Sequence, residues 1–138
     1  MILRPRQTLL VDRTVEALAQ HGNTLAVAPT GSGKTIMLSA VVGRLLSDPD
    51  AKACILAHRT ELTDQNRNKF ERVNPSLKTS VFDAYEKSWD GNATFAMVQT
   101  LSRKANLDQL PTLDLLVIDE AHHAASPSYR EVIDQVLV

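Results

Sequence analysis

One cysteine, Cys54, stands in 138 residues. A disulfide framework within the chain and any cysteine-rich zinc module are therefore excluded. Cys54 lies inside the apolar run ACILA, Ala53 to Ala57, which predicts a buried and inert thiol. Long apolar runs are also missing. None approaches the ~20 residues of a membrane span, and the opening MILRPRQ lacks the apolar stretch of a signal peptide. A soluble, cytoplasmic protein with no membrane partner is expected. Excess positive charge is absent too: the formal net charge is −1, so a polyanion would have to be met by a local patch. Histidines are few, and none falls in an HExxH spacing, so zinc is not expected. Neither repeats nor low-complexity segments nor linkers interrupt the chain, whose length suits one domain.

Short β-rich apolar runs alternate with helical patterns. The runs are TLAVA (Thr24 to Ala28), ACILA (Ala53 to Ala57), TSVF (Thr79 to Phe82), TFAMV (Thr94 to Val98) and DLLVI (Asp114 to Ile118). Several are continuously apolar, the habit of parallel strands covered on both faces. Between the first two runs, Lys34 to Leu46 is apolar almost all round, as a sandwiched helix should be. A narrower stripe, Leu62, Asn66, Phe70 and Val73, marks a helix from Thr60 onward. Tyr129, Val132, Ile133, Val136 and Leu137 trace one face of an amphipathic helix whose start is marked by Ser126 and Pro127. The least structured stretch is Glu86 to Ala93, where Asp90, Gly91 and Asn92 make a turn. These patterns predict an α/β fold, a mainly parallel sheet with helices on both faces and right-handed crossovers. The chain stops at Val138 straight after a helix, so a piece of a longer protein, truncated on its C-terminal side, is expected.

Directly after the first run comes APTGSGKT, Ala28 to Thr35. Strand, glycine-rich loop and helix occur in the order a P-loop requires. In such a loop Pro29, Thr30, Gly31, Ser32 and Gly33 carry the backbone around a phosphate, the glycines allowing successive N–H groups to converge at a positive helix end. Lys34 adds an ammonium for the β- and γ-phosphates, and Thr35 offers a hydroxyl to Mg2+. Ala28 replaces the glycine of the strict pattern, at a position that only begins the turn. The alternative is a glycine-rich turn with no ligand.

Near the end, LLVI runs into Asp119, Glu120, Ala121, His122 and His123. In open parallel sheets ligands bind at the carboxyl ends of strands, where these two carboxylates follow. Adjacent residues leaving a strand point in different directions, so Asp119 suits Mg2+ through water and Glu120 suits activation of the attacking water. A solvated acidic loop is the alternative. Adjacent histidines do not easily share one ion; His122 reads as a donor that senses the γ-phosphate, and His123 is left without a role.

With APTGSGKT, VIDEAH and the segments around them, the chain resembles the first RecA-like domain of a superfamily 2 helicase. More narrowly, it resembles the group holding type I and III restriction-enzyme translocating subunits and excision-repair-type helicases, for which DEAHHA followed by a nearby tyrosine is typical. The resemblance spans nearly the whole chain, residues 1–138 being read as an incomplete ATP-binding domain. It implies that Gln7 in LRPRQ reads adenine, with Arg4 close by. It implies that ILAHRTELTDQ places Arg59 and Thr60 on a nucleic-acid backbone, and that VQTLSR places Thr100 and Arg103 along the same face. No aromatic residue interleaves these basic positions, so tracking of the backbone is expected rather than base stacking. The resemblance also implies a second RecA-like domain, with a Ser-Ala-Thr-type motif and arginines that this chain does not hold. The implied function is ATP hydrolysis driving a helicase or double-strand translocase, on DNA rather than RNA, with ATP and Mg2+ as cofactors and the chain alone weakly active or inactive. Two other readings stay open: a P-loop ATPase of another kind, and a nucleic-acid-binding or regulatory module with a vestigial ATP site.

Overall fold

Apolar strands with no polar face must be covered on both sides, and four of them here share that cover. The computed structural model describes residues 5–21, 34–46, 50–57, 60–118 and 126–137. Its strands are β1 (Ala53–Ala57), β2 (Thr79–Phe82), β3 (Ala93–Met97) and β4 (Leu115–Ile118). They form one sheet in the order β2-β3-β1-β4, with every pairing parallel. The helices are α1 (Pro5–His21), α2 (Lys34–Leu45), α3 (Thr60–Val73), α4 (Val98–Leu101), α5 (Lys104–Leu107) and α6 (Pro127–Leu137).

The strand period of two sorts the sheet residues onto two faces. Ala53 and Ile55 of β1, Ala93 and Phe95 of β3, and Leu115 and Val117 of β4 share one face, where Val42 of α2, Leu46 just beyond it and Phe70 of α3 cover them. Phe70 meets Phe95 edge to face, ring centroids 5.5 Å apart. On the other face Cys54, Leu56, Phe82, Ala96, Leu116 and Ile118 meet Leu101 of α4, Leu107 of α5, and Tyr129 and Val132 of α6. Each fully buried aromatic or aliphatic side chain contributes about 1.5–3 kcal/mol, so the two layers hold the sheet from both sides. A third cluster packs Val11 of α1 on Met37 and Val41 of α2, and an Asp12–Arg44 ion pair joins the same two helices. Cys54 is fully buried, as expected, and that burial pushes its thiol up to about 12, which disfavours the reactive thiolate.

β1, β2 and α6 lie where the pattern places them. β3 and β4 differ by a residue from the expected Thr94 to Val98 and Asp114 to Ile118. Val98 leaves the ladder because α4 starts there, directly after the extended Met97. Asp114 precedes β4: its N–H donates to the Lys52 carbonyl (2.8 Å) and its carboxylate accepts from the Lys52 N–H (2.9 Å). The strand expected over Thr24 to Ala28 lies outside the described residues.

The stretch read as least structured is well tied. Lys52 Nζ donates to the carbonyls of Trp89 (2.6 Å) and Gly91 (3.1 Å), and the Ala53 N–H donates to the Asn92 carbonyl (2.8 Å). Gly91 is required by close approach, since a Cβ there would lie 2.7 Å from the carbonyl carbon of Thr79. This knot sits at the amino ends of β1, β3 and β4. Among the described residues no helix is long and apolar enough to cross a membrane.

Candidate functional site

Because every pairing is parallel, the carboxyl ends of all four strands lie along one edge of the sheet. The helix that follows the glycine-rich loop is oriented by its own stripe. Leu38, Val42 and Leu46, spaced by four, face the sheet, and Leu46 clusters with Ala51 and Ala53 at the amino end of β1. A helix of 12 residues rises ~18 Å, about the length of a strand. Its first turn, Lys34 and Thr35, thus lies toward the carboxyl edge, and its free N–H groups and positive dipole end lie there with it.

The other elements bring their sequence-predicted residues to that edge in order. β1 ends at Ala57 and α3 begins at Thr60, so the N–H groups of the first turn of α3 open near the end of β1. β3 runs straight into α4, after which Arg103 stands exposed. Arg103 holds an extended conformation ahead of α5, its carbonyl accepting from the N–H groups of Asn106 and Leu107 (both 2.9 Å). Its guanidinium forms no ion pair with another described residue. Thr100 is 5% exposed, and its carbonyl accepts from Asn106 Nδ2 (2.7 Å). The threonine is therefore packed beneath this edge while Arg103 faces solvent. Gln7 falls in the first turns of α1.

Several predicted residues lie outside what is described. They are Arg4, Pro29, Thr30, Gly31, Ser32 and Gly33 of the amino-terminal segments, Arg59, and the run Asp119, Glu120, His122 and His123. Gln7, Lys34, Thr35 and Thr60 are described by their place in helices. Among the described residues no cluster of histidine, cysteine, aspartate and glutamate suited to a metal occurs.

A turn that the sequence pattern overlooked occupies the same edge. After β2, the buried Asp83 accepts at Oδ1 from the N–H groups of Tyr85 and Glu86 (both 2.8 Å). The Asp83 N–H donates back to the Glu86 carbonyl (2.7 Å), and Lys87 bridges Phe82 in antiparallel fashion. Tyr85 projects from this turn, 92% exposed. The local signal was an aspartate two and three residues ahead of the amides it caps.

Comparison with known proteins agrees with the fold. A model of the family described as type III restriction enzyme, res subunit, matches residues 1–137. The protein IRC3 of Saccharomyces cerevisiae, named as a candidate ATP-dependent helicase, is 31% identical over 96% of this chain and 21% of its own length. A candidate mitochondrial ATP-dependent helicase of Schizosaccharomyces pombe, irc3, is 32% identical over 96% of this chain and 23% of its own. The chain thus spans under a quarter of the length of these relatives. Among solved structures, the SWI2/SNF2 ATPase core of Sulfolobus solfataricus, in complex with dsDNA, superposes with a TM-score of 0.80 at 18% identity, covering 99% of this chain and 30% of that one. The sheet and its two helical layers have the RecA-like fold.

Proposed function

Because the chain belongs to the family described as type III restriction enzyme, res subunit, we propose that it is the ATP-binding, first RecA-like domain of a DNA helicase or double-strand DNA translocase. One observation carries the reading. The first turn of α2, which follows the glycine-rich loop, and the end of β4, which precedes Asp119 and Glu120, belong to the same edge of one parallel sheet.

In this reading Pro29 to Gly33 wrap the phosphates with backbone N–H groups, and Lys34 places its ammonium on the β- and γ-phosphates. Thr35 and Asp119 offer hard oxygen donors, the set that suits Mg2+, and the bound ion neutralises charge on the phosphates. Glu120 accepts a proton from the attacking water. His122 donates toward the γ-phosphate and couples its presence to a neighbouring domain. Gln7 and Arg4 hold the adenine. Along the same edge Arg59 and the first N–H groups of α3, at Thr60, take nucleic-acid phosphates, and Arg103 adds a second cation over the packed Thr100. DNA is favoured over RNA because the structural neighbour was solved with dsDNA.

The relatives' greater length leaves room for a second RecA-like domain. An arginine supplied from such a partner contributes ~10³–10⁵ in rate in related nucleotide hydrolases, so this chain alone should bind ATP and hydrolyse it slowly. Calorimetric titration of ATP into the wild-type chain and Lys34→Ala, with and without Mg2+, tests the reading. Loss of one charge-assisted phosphate contact is expected to weaken binding ~10- to 100-fold, and Mg2+ should strengthen binding to the wild type. Equal affinities indifferent to Mg2+ would contradict the proposal.

A further inference from the structure

We infer that Tyr85 is an aromatic platform on which an unpaired base of a bound nucleic acid stacks. The inference rests on the nucleic-acid reading above and adds a contact of a different kind to it.

Three observations converge on this residue. The first is exposure: Tyr85 is 92% exposed, and the other exposed large hydrophobic among the described residues is Leu9 of α1, at 52%. An aromatic ring left bare to that degree offers a large, flat apolar face to solvent. The second is preorganisation. Asp83 is buried and caps the N–H groups of Tyr85 and Glu86 (both 2.8 Å), while the Ser88 N–H donates to the Val81 carbonyl (3.1 Å) and closes the turn behind them. A ring held on such a turn loses little backbone freedom when it binds.

The third is place. Phe82, the last residue of β2, pairs with Ala96, and the next residue of β3, Met97, pairs with Ala57 at the end of β1. At the ~4.8 Å spacing of neighbouring strands, the end of β2 lies one spacing from the end of β3, which leads to Arg103. It lies two spacings, ~10 Å, from the end of β1, which Arg59 follows in sequence. A strand whose backbone crosses the β1 and β3 ends therefore reaches the turn within a nucleotide or two.

The charge of the turn decides which part of the nucleic acid Tyr85 meets. Asp83 and Glu86 outweigh Lys87, so the turn repels phosphate. What it offers is the ring, and a ring stacks on a base. Duplex bases are already stacked, so the ligand is a single strand or an unpaired base. Base stacking thus joins backbone tracking at this edge.

The test measures binding of a fluorescent oligo(dT) and of a matched oligonucleotide of abasic units, at fixed low salt, by the wild-type chain, Tyr85→Ala, Tyr85→Phe and Arg103→Ala. Stacking predicts that Tyr85→Ala weakens oligo(dT) binding about 5- to 100-fold, leaves binding of the abasic strand unchanged, and is rescued by Tyr85→Phe. Arg103→Ala should weaken both strands alike. Equal oligo(dT) binding by Tyr85→Ala and wild type, or equal losses on both strands, would overturn the inference while leaving the nucleic-acid reading intact. Failure of the wild-type chain to bind either strand would overturn that reading, and this inference with it.

Discussion

The two edges of the sheet are built on opposite terms. At the amino edge polar groups are spent on one another. The Lys52 ammonium is taken by the Trp89 and Gly91 carbonyls, Lys52 and Asp114 exchange hydrogen bonds, and the side-chain oxygen of Asn92 accepts from the Lys78 N–H (3.3 Å). At the carboxyl edge the Asp83 turn closes on itself, but Arg103 is exposed and without a described ionic partner, and α2 and α3 both begin there. The amino edge thus ties the strands together, while the carboxyl edge leaves Arg103 open to solvent. Substitutions at one edge should change stability, and those at the other should change chemistry.

The largest expected effect is chemical. In a protein that pairs this domain with a second RecA-like domain, Glu120→Gln should lower DNA-stimulated ATP hydrolysis by ~10²–10⁴ while ATP binding and the thermal midpoint stay unchanged. A parallel loss of stability would break the contrast between the edges.

Stability effects come next and belong to the amino edge. Gly91→Val puts a side chain against the Thr79 and Lys78 backbone, where even a Cβ finds 2.7 and 2.9 Å; a loss of roughly 1–3 kcal/mol is expected in urea unfolding. Lys52→Met leaves two carbonyls without their donor and should cost about 1–3 kcal/mol, with ATP affinity of the folded chain preserved. Gly43→Ala should cost less, roughly 1 kcal/mol, because the Cβ meets Asn74 Oδ1, a side chain whose shift strains its bond to the Ser39 carbonyl (2.8 Å).

The smallest effect at neutral pH concerns Cys54. Its folded pKa is raised by burial from 9.0 to about 12, so the folded state holds the thiol proton more tightly than the unfolded state does. Its stabilising contribution is full below pH 9 and is lost as pH rises toward 12, with a slope of about 1.4 kcal/mol per pH unit. Unfolding curves of the wild type and Cys54→Ala should converge over that window.

Strands and the long amphipathic helices were legible because their periods are written in apolar residues. ACILA and TSVF became β1 and β2 without adjustment, and Tyr129 and Val132 anchor α6 as the i, i+3 pattern required. Shorter elements carried no such period: four residues each in α4 and α5 cannot show a helical repeat, so Val98 read as strand. The Lys52 knot was hidden because its partners are carbonyls 37 and 39 positions away, and every residue has a carbonyl. The roles proposed for Lys34, Asp119 and Glu120 rest on motif alone. The depth of Thr100 and the prominence of Tyr85 came only from the fold, since burial depends on neighbours that sequence spacing does not supply.

Backbone amide shifts followed by NMR as ATP and Mg2+ are added to this chain distinguish an ATP site at the carboxyl edge from any other placement. The largest changes are expected in the first turn of α2, at Lys34 and Thr35, and at Ile118 where β4 ends, with Lys52, Gly91 and Asp114 unmoved. Changes centred on Lys52, Gly91 and Asp114, with α2 silent, would contradict that placement.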